Sequence, residues 1–268
     1  MVITVYDFIL EAFPELDPRG NHRRWQRTAI ESADHICCIS QTTYHELCQR
    51  YPSAASRASV TMLGNSFANV VAEAASLPFS DRPFVLFVGR RGGYKNFEVL
   101  WEAWNRARHN SPDLALVAVG PPMKARERRS LDLGPDQKDF FYLGAVPDGQ
   151  LKSLYQACSA FVFPSKMEGF GLPALEAMES GAPVIASGCE ALREVIDSAG
   201  YYFDDSDVDT LTDLLIAAGT DSLADRDQKV LQGHRRAREF SWDRTAAQTI
   251  QAYKTVVANH GRGRSQAA

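Results

Sequence analysis

Cysteine is scarce, with five thiols in 268 residues, an odd number, and two of them adjacent at Cys37 and Cys38 in an apolar run. That excludes a disulfide scaffold and reads as reduced core thiols in a cytoplasmic protein. Long hydrophobic runs are missing too. Phe84 to Val88, or Ala58 to Leu63 broken by Ser59 and Thr61, fall far short of the roughly 20 apolar residues of a membrane helix. Met1 runs straight into Val2-Ile3-Thr4-Val5 with no basic segment before it, so no secretory leader is read. Charge of one sign is lacking: 29 Lys and Arg face 33 Asp and Glu, a net −4, which argues against a nucleic-acid partner. No CxxC pair or GxSxG elbow occurs, and the histidines are scattered, which removes the common zinc and serine-nucleophile chemistries. No internal repeat or low-complexity tract is found. What is present, 45% hydrophobic and 23% charged residues, describes a globular chain of one large or two modest domains.

From Phe84 onward short continuous apolar runs (84–88, 114–119, 140–143, 160–163, 184–187) alternate with segments of helical period, such as Phe97, Leu100, Trp101 and Trp104. Runs apolar on both faces predict strands buried on both faces, in a parallel sheet with crossover helices. A shorter α/β array precedes it. Strands are predicted at 2–6, 35–39 and 60–63, with helices at 24–33 and at 42–50, the latter capped by Ser40. The turn-rich stretch 64–82 reads as a linker, giving domains 1–74 and 75–240. A final helix follows over 241–268, opened by Ser241, with Ala246, Ile250, Tyr253 and Val257 on one face and a frayed tail from Gly261.

Ligands of open parallel sheets bind beyond the carboxyl ends of the strands, and two loops there carry chemistry. After 84–88 comes Gly89-Arg90-Arg91-Gly92-Gly93-Tyr94-Lys95-Asn96. Its glycines permit close backbone approach, the helix start offers N–H donors, and the cations suit a phosphate. A flexible loop with solvated cations is the plain alternative, and the segment is neither a P-loop nor a GxGxxG. After 160–163 comes Pro164 to Met178, in which Pro173 fits the first turn of a helix and Gly169 to Leu172 would present backbone donors. Glu176 is expected in that first turn and Glu168 just before it, so both carboxylates would face one cleft and accept sugar or ribose hydroxyls. The plain alternative is a dipole-capping Glu176 and a solvated Glu168. Gly169-x-Gly171-x-x-Ala174 formally matches the dinucleotide fingerprint, but Ser165 to Glu168 intervene after the strand, which leaves an NAD-linked enzyme as a remote reading. Asp205, Asp207 and Asp209 form DxD triplets that read as caps of a helix from Val208 rather than a metal site. Arg23, Arg24 and Arg27 around Trp25 read as a solvated helix face, with contact to an anionic membrane or acceptor as the alternative.

In their order and placement these segments resemble the retaining GT-B glycosyltransferases of family 4, the group 1 transferases. The resemblance runs through Ser32 to Ser40, Val88-Gly89-Arg90 with Lys95-Asn96, Tyr142-Leu143-Gly144, Phe163-Pro164-Ser165, Glu168 to Glu176 with an E-x7-E spacing, Glu194-Val195 and Phe240-Ser241-Trp242. It implies an α/β fold of GT-B type, with a complete C-terminal Rossmann-like domain preceded by a partial N-terminal one that begins in its later half. It also implies a site. Arg90 and Lys95 would bind the diphosphate of a nucleotide sugar, Glu176 the ribose diol, and Glu168 the donor sugar. Gly89, Phe170, Gly171 and Leu172 would bring backbone close to phosphate and sugar. Tyr6 stands where the family has a histidine facing the reacting sugar.

The implied reaction transfers a sugar, with retention, from GDP-mannose or a UDP-sugar to a glycan or lipid-linked acceptor in O-antigen-type synthesis, at the cytoplasmic side with peripheral membrane contact. No metal and no cofactor beyond the donor substrate is expected, because Arg90 and Lys95 would meet the leaving diphosphate. A truncated nucleotide-sugar-binding protein without independent transfer is the competing expectation.

Overall fold

The computed structural model describes residues 1–73, 79, 81–131 and 138–265. The chain divides into two compact units, Met1–Asn65 with Glu168–Phe170 and Phe240–Ala268, and Ser66–Met167 with Gly171–Glu239. In the first unit, β1 (Val2–Val5), β2 (His35–Cys38) and β3 (Ala58–Val60) form a parallel sheet in the order β1-β2-β3. Three helices connect them: α1 (Ile9–Ala12), α2 (Asn21–Ser32) and α3 (Gln41–Arg50). Ser40 caps α3 as its residue type suggests, its Oγ accepting the Thr43 N–H at 2.9 Å. Cys37 and Cys38 are buried free thiols of β2, and burial pushes the Cys38 thiol up to about 12, leaving it protonated and inert.

In the second unit six parallel strands, β4 (Phe84–Val88), β5 (Ala115–Val119), β6 (Phe140–Gly144), β7 (Ala160–Phe163), β8 (Val184–Ser187) and β9 (Gly200–Phe203), lie in the order β6-β5-β4-β7-β8-β9. Counted from β4 this is 3-2-1-4-5-6, the Rossmann order, whose direction reverses between β4 and β7. The crossovers are α4 (Phe97–Ala107), α5 (Ala125–Ser130), α6 (Asp148–Ala157), α7 (Leu172–Ser180) and α8 (Glu190–Ile196), followed by α9 (Val208–Gly219) and α10 (Arg226–Ala237). The apolar runs form strands because both faces are covered: β5 and β7 are buried along their whole length. Trp104 of α4 is fully buried, and its indole N–H reaches the Leu114 carbonyl at 3.0 Å, so the largest core side chain leaves no polar atom unpaired.

The last helix, α11 (Trp242–Ser265), belongs to the first unit. Thr245 Oγ1 donates to the Met62 carbonyl at 2.6 Å, and a Cβ on Gly64 would lie 2.3 Å from the Trp242 nitrogen. That anchorage turns the stripe of Thr245, Thr249, Ala252 and Val256 inward, and the expected face of Ala246, Ile250, Tyr253 and Val257 lies exposed. The helix also continues past Gly261 to Ser265. The boundary expected near residue 75 lies outside the described residues, as do Ser76, Pro78 and Ser80. The units divide instead between Asn65 and Ser66. The reason is packing: the Phe67 ring meets Tyr155 edge-on at 5.9 Å, and Lys152 Nζ donates to the Phe67 and Val70 carbonyls. Among the described residues no helix is long and apolar enough to cross a membrane.

Two glycines set the approach of the loops that follow β4 and β5. Gly120 has φ +152°, and a Cβ there would stand 2.2 Å from the Gly89 carbonyl oxygen. Gly120→Ala is therefore expected to destabilise the protein by about 2–4 kcal/mol, through backbone strain and collision, read as a lower urea midpoint. Wild-type stability in this variant would contradict that packing.

Candidate functional site

The reversal of strand order leaves a crevice at the carboxyl ends of β4 and β7, and the loops that follow these two strands are the ones singled out from the sequence. After β4 the chain runs through Gly89 and Arg90 into a short 3-10 turn, Gly93–Lys95, and then α4. Asn96 holds this loop. It takes the left-handed conformation, φ 57°, which Asn tolerates better than most residues. Its buried amide donates to the Pro164 carbonyl at 3.1 Å and to the Asp205 carbonyl at 2.6 Å. One side chain thus ties the loops after β4, β7 and β9. Lys166 N–H adds a bond to the Tyr94 carbonyl at 2.8 Å.

The three cations of the first loop separate. Arg90 is exposed and pairs with no carboxylate among the described residues. Lys95 Nζ lies 5.3 Å from the Phe163 ring centroid at the end of β7. Arg91 turns inward and is 2% exposed. Its guanidinium stacks 4.8 Å from the Tyr142 ring centroid, donates to the Pro121 carbonyl at 2.7 Å and approaches Glu127 at 3.5 Å. Of the three, Arg91 is a buried brace, whereas Arg90 is exposed at the carboxyl end of β4 and Lys95 is turned toward the end of β7.

In the second loop α7 begins at Leu172, with Gly171 as its N-cap at φ 118° and Pro173 in its first turn. A Cβ at Gly171 would stand 2.8 Å from Leu192. Glu176 is the fifth residue of α7, just past the first turn expected for it, because the helix already begins at Leu172, before Pro173. Its carboxylate accepts the hydroxyl of the buried Tyr155 at 3.2 Å. Burial raises the Glu176 pKa to about 7, opposed by the Tyr155 hydrogen bond and reinforced by Asp148. Tyr155, missed in the sequence because it sits in the apolar stripe of α6, therefore moderates the rise that burial causes at Glu176.

Gly89, Arg90, Lys95, Gly171, Leu172 and Glu176 belong to the second unit, whereas Glu168 and Phe170 fall in the first. There the Gly169 carbonyl accepts Ser40 Oγ at 2.7 Å and Thr43 Oγ1 at 3.3 Å, and a Cβ on Gly169 would lie 2.1 Å from the Tyr6 carbonyl oxygen. Phe170 is buried edge-on against Phe240 at 5.6 Å, so only its backbone is available to a ligand. The Tyr6 side chain is exposed. Asp207 is the N-cap of α9, accepting Thr210 N–H at 2.9 Å and Thr210 Oγ1 at 2.6 Å, bonds that lower its pKa.

The raised pKa of Glu176 has a definite sign. The folded protein binds this proton more tightly than the unfolded chain, so the stability it contributes is present below about pH 4.5 and is lost as pH rises through about 7. Glu176→Gln is expected to stabilise the fold at pH 8 by on the order of 2 kcal/mol relative to wild type and to flatten the pH profile between those values. Urea melts at pH 5 and pH 8 check this; an unchanged difference between the two pH values would contradict it.

Residues 72–233 match the family described as glycosyl transferases group 1. Over 282 residues the chain is 30% identical to the O-antigen chain mannosyltransferase B of Escherichia coli, covering 95% of this chain and 70% of that protein. It is likewise 30% identical to the serotype-specific mannosyltransferase WbdA of Escherichia coli, over 85% of this chain and 29% of that protein. Among solved structures, sucrose-phosphate synthase from Thermosynechococcus elongatus superposes with a TM-score of 0.71 at 27% identity, over 87% of this chain and 61% of that one. Anabaena HepE, solved in complex with UDP and glucose, shares the fold with a TM-score of 0.72 at 18% identity, over 94% and 71%. The chain thus spans between about a third and seven-tenths of the length of these proteins. With its parallel α/β units of GT-B type and its paired loops at the β4/β7 reversal, the chain belongs to the group 1 glycosyl transferases.

Proposed function

We propose that the chain binds a nucleotide sugar and transfers the sugar, with retention, to a glycan or lipid-linked acceptor in O-antigen-type synthesis. The observation that carries this reading is the pairing, across the β4/β7 reversal, of an exposed cationic loop with a helix bearing a half-buried carboxylate. Arg90 and Lys95 bind the diphosphate, Glu176 accepts the ribose diol, and Glu168 holds hydroxyls of the donor sugar. Departure of the diphosphate from an oxocarbenium-like sugar concentrates negative charge on the leaving oxygens. Cations already in place lower that barrier without a metal ion. Retention follows if the acceptor attacks from the leaving-group face and a phosphate oxygen takes its proton, so no side-chain nucleophile is needed.

The mannosyltransferases among the relatives favour GDP-mannose over a UDP-sugar, and a lipid-carried acceptor would be reached by peripheral contact with the cytoplasmic membrane face. A second reading, nucleotide-sugar binding without transfer, draws on the first unit, whose sheet has three strands among the described residues. Turnover of donor and acceptor by the chain separates the two.

Calorimetry with GDP and UDP tests the binding assignment. Arg90→Ala and Glu176→Ala are each expected to lose about 1.5–3 kcal/mol, the worth of a charge-assisted hydrogen bond, and EDTA is expected to leave the affinity unchanged. Wild-type affinity in both variants, or loss with EDTA restored by Mg²⁺ or Mn²⁺, would contradict the assignment.

A further inference from the structure

A second cationic feature lies in the first unit, apart from the residues assigned to the donor. Glu11, Gly20, Arg23, Arg24, Arg27 and Arg50 line a cleft of about 340 Å³. Helical spacing builds one wall: positions 20, 23, 24 and 27 share one side of α2, whereas 22, 25, 26 and 29 line a separate groove beside β1. Arg50 comes from the last turn of α3.

The four guanidiniums are not equivalent. Arg50 is fixed by Glu11 at 3.2 Å and Glu46 at 3.3 Å and lies 5.4 Å from the Phe8 ring centroid. Arg23 is held by Asp17 through its backbone N–H at 3.1 Å and its Nε at 3.5 Å. Glu11, the one carboxylate of the cleft, is itself engaged by Arg50 and by the Tyr51 hydroxyl at 2.8 Å. Arg24 donates to the Arg19 carbonyl and the Asn21 side-chain oxygen, and Arg27 hydrogen-bonds the Tyr51 hydroxyl. Neither Arg24 nor Arg27 pairs with a carboxylate among the described residues.

That arrangement works against the helix that carries it. Arginines at i,i+3 and i,i+4 repel by a few tenths of a kcal/mol per pair, and Arg24 and Arg27 are exposed, so core packing gives no reason for them. The local excess of positive charge also runs against a chain of net charge −4.

We infer that this cleft is a binding site for a phosphate-bearing ligand, distinct from the nucleotide-sugar site. Guanidinium groups suit phosphate oxygens through paired N–H donors. Two uncompensated cations match the charge of roughly −1.5 to −2 on a phosphate monoester at neutral pH better than the single charge of a carboxylate. The ordered Arg23 and Arg50 give the cleft fixed walls. Two carriers present such a phosphate, a soluble phosphosugar and a lipid headgroup.

The test uses the full chain with three probes: glucose 6-phosphate, vesicles of phosphatidylcholine containing phosphatidic acid, whose headgroup is a phosphate monoester, and vesicles of phosphatidylcholine alone. Saturable binding is expected to the sugar phosphate, to the anionic vesicles or to both, and the pattern identifies the source of the phosphate. Arg24→Gln with Arg27→Gln should weaken that binding at least about 10-fold, Arg24→Lys with Arg27→Lys should retain part of it, and Arg90→Ala with Lys95→Ala should leave it unchanged. GDP binding should persist in the α2 variants, which keeps this result separate from that of the donor site, and a wild-type urea midpoint and circular dichroism spectrum report that the variants are folded. No binding to either phosphate probe, equal binding to neutral vesicles, or binding that survives Arg24→Gln with Arg27→Gln would overturn the inference. So would loss in the Arg90 and Lys95 variant, which would put the anion in the donor loop.

Discussion

The functional end of the second unit depends on one buried amide. Asn96 donates both of its side-chain hydrogens, to the carbonyls of Pro164 and Asp205, and so fixes the loops that follow three strands of one sheet. A buried amide without partners would cost about 1–3 kcal/mol, so the loops hold Asn96 as firmly as it holds them. The left-handed backbone at the same residue ends the Gly93–Lys95 turn and starts α4. Lys95 is carried to the β7 side by that turn, while Arg90, earlier in the loop, stays exposed. The backbone geometry of this loop thus decides where each of the two cations emerges.

Burial sorts the charges of the molecule into internal braces and groups that face solvent. Arg91 and Arg90 are neighbours in sequence, yet Arg91 is packed under Tyr142 while Arg90 faces solvent. Glu176 lies between these extremes. Enough of it is buried to raise its pKa to about 7, and Tyr155 keeps that rise in check. A carboxylate in this state changes charge near neutral pH, so the hold proposed for it on a ribose diol would strengthen as it ionises. In the first unit the same sorting pairs Arg23 and Arg50 with carboxylates, whereas Arg24 and Arg27 face a cleft with no carboxylate partner among the described residues.

The strands of the second unit were legible because burial on both faces demands continuous apolar runs, and the predicted 84–88, 160–163 and 184–187 coincide with β4, β7 and β8. β9 escaped, since Gly-Tyr-Tyr-Phe between Asp197 and Asp204 is short, opens on glycine and carries two phenol hydroxyls. The rotation of α11 was not legible either. Its apolar residues Ile250, Tyr253 and Val257 suggested the buried stripe, but the Thr245 bond to Met62 and the close approach of Gly64 to Trp242 are long-range contacts that override it. At the candidate site, the placement of Arg90, Lys95, Gly171 and Glu176 beyond the ends of β4 and β7 was legible because glycine, charge and strand end coincide in sequence. The inward turn of Arg91, the three-loop tie of Asn96 and the effect of Tyr155 on Glu176 could not, because each depends on partners from distant strands. The arginines of α2 read as an ordinary solvated face until Arg50 of α3 closed a cleft around them.

The central claim is that the loops after β4 and β7 form the nucleotide-sugar site. Hydrogen exchange of the full chain with and without GDP-mannose or a UDP-sugar tests it most directly, because it reports where the ligand acts without altering a residue. Protection concentrated in 89–96 and 169–176, produced by one of these donors in the presence of EDTA, is the result the account predicts. Saturable donor binding that leaves both segments unprotected would contradict it.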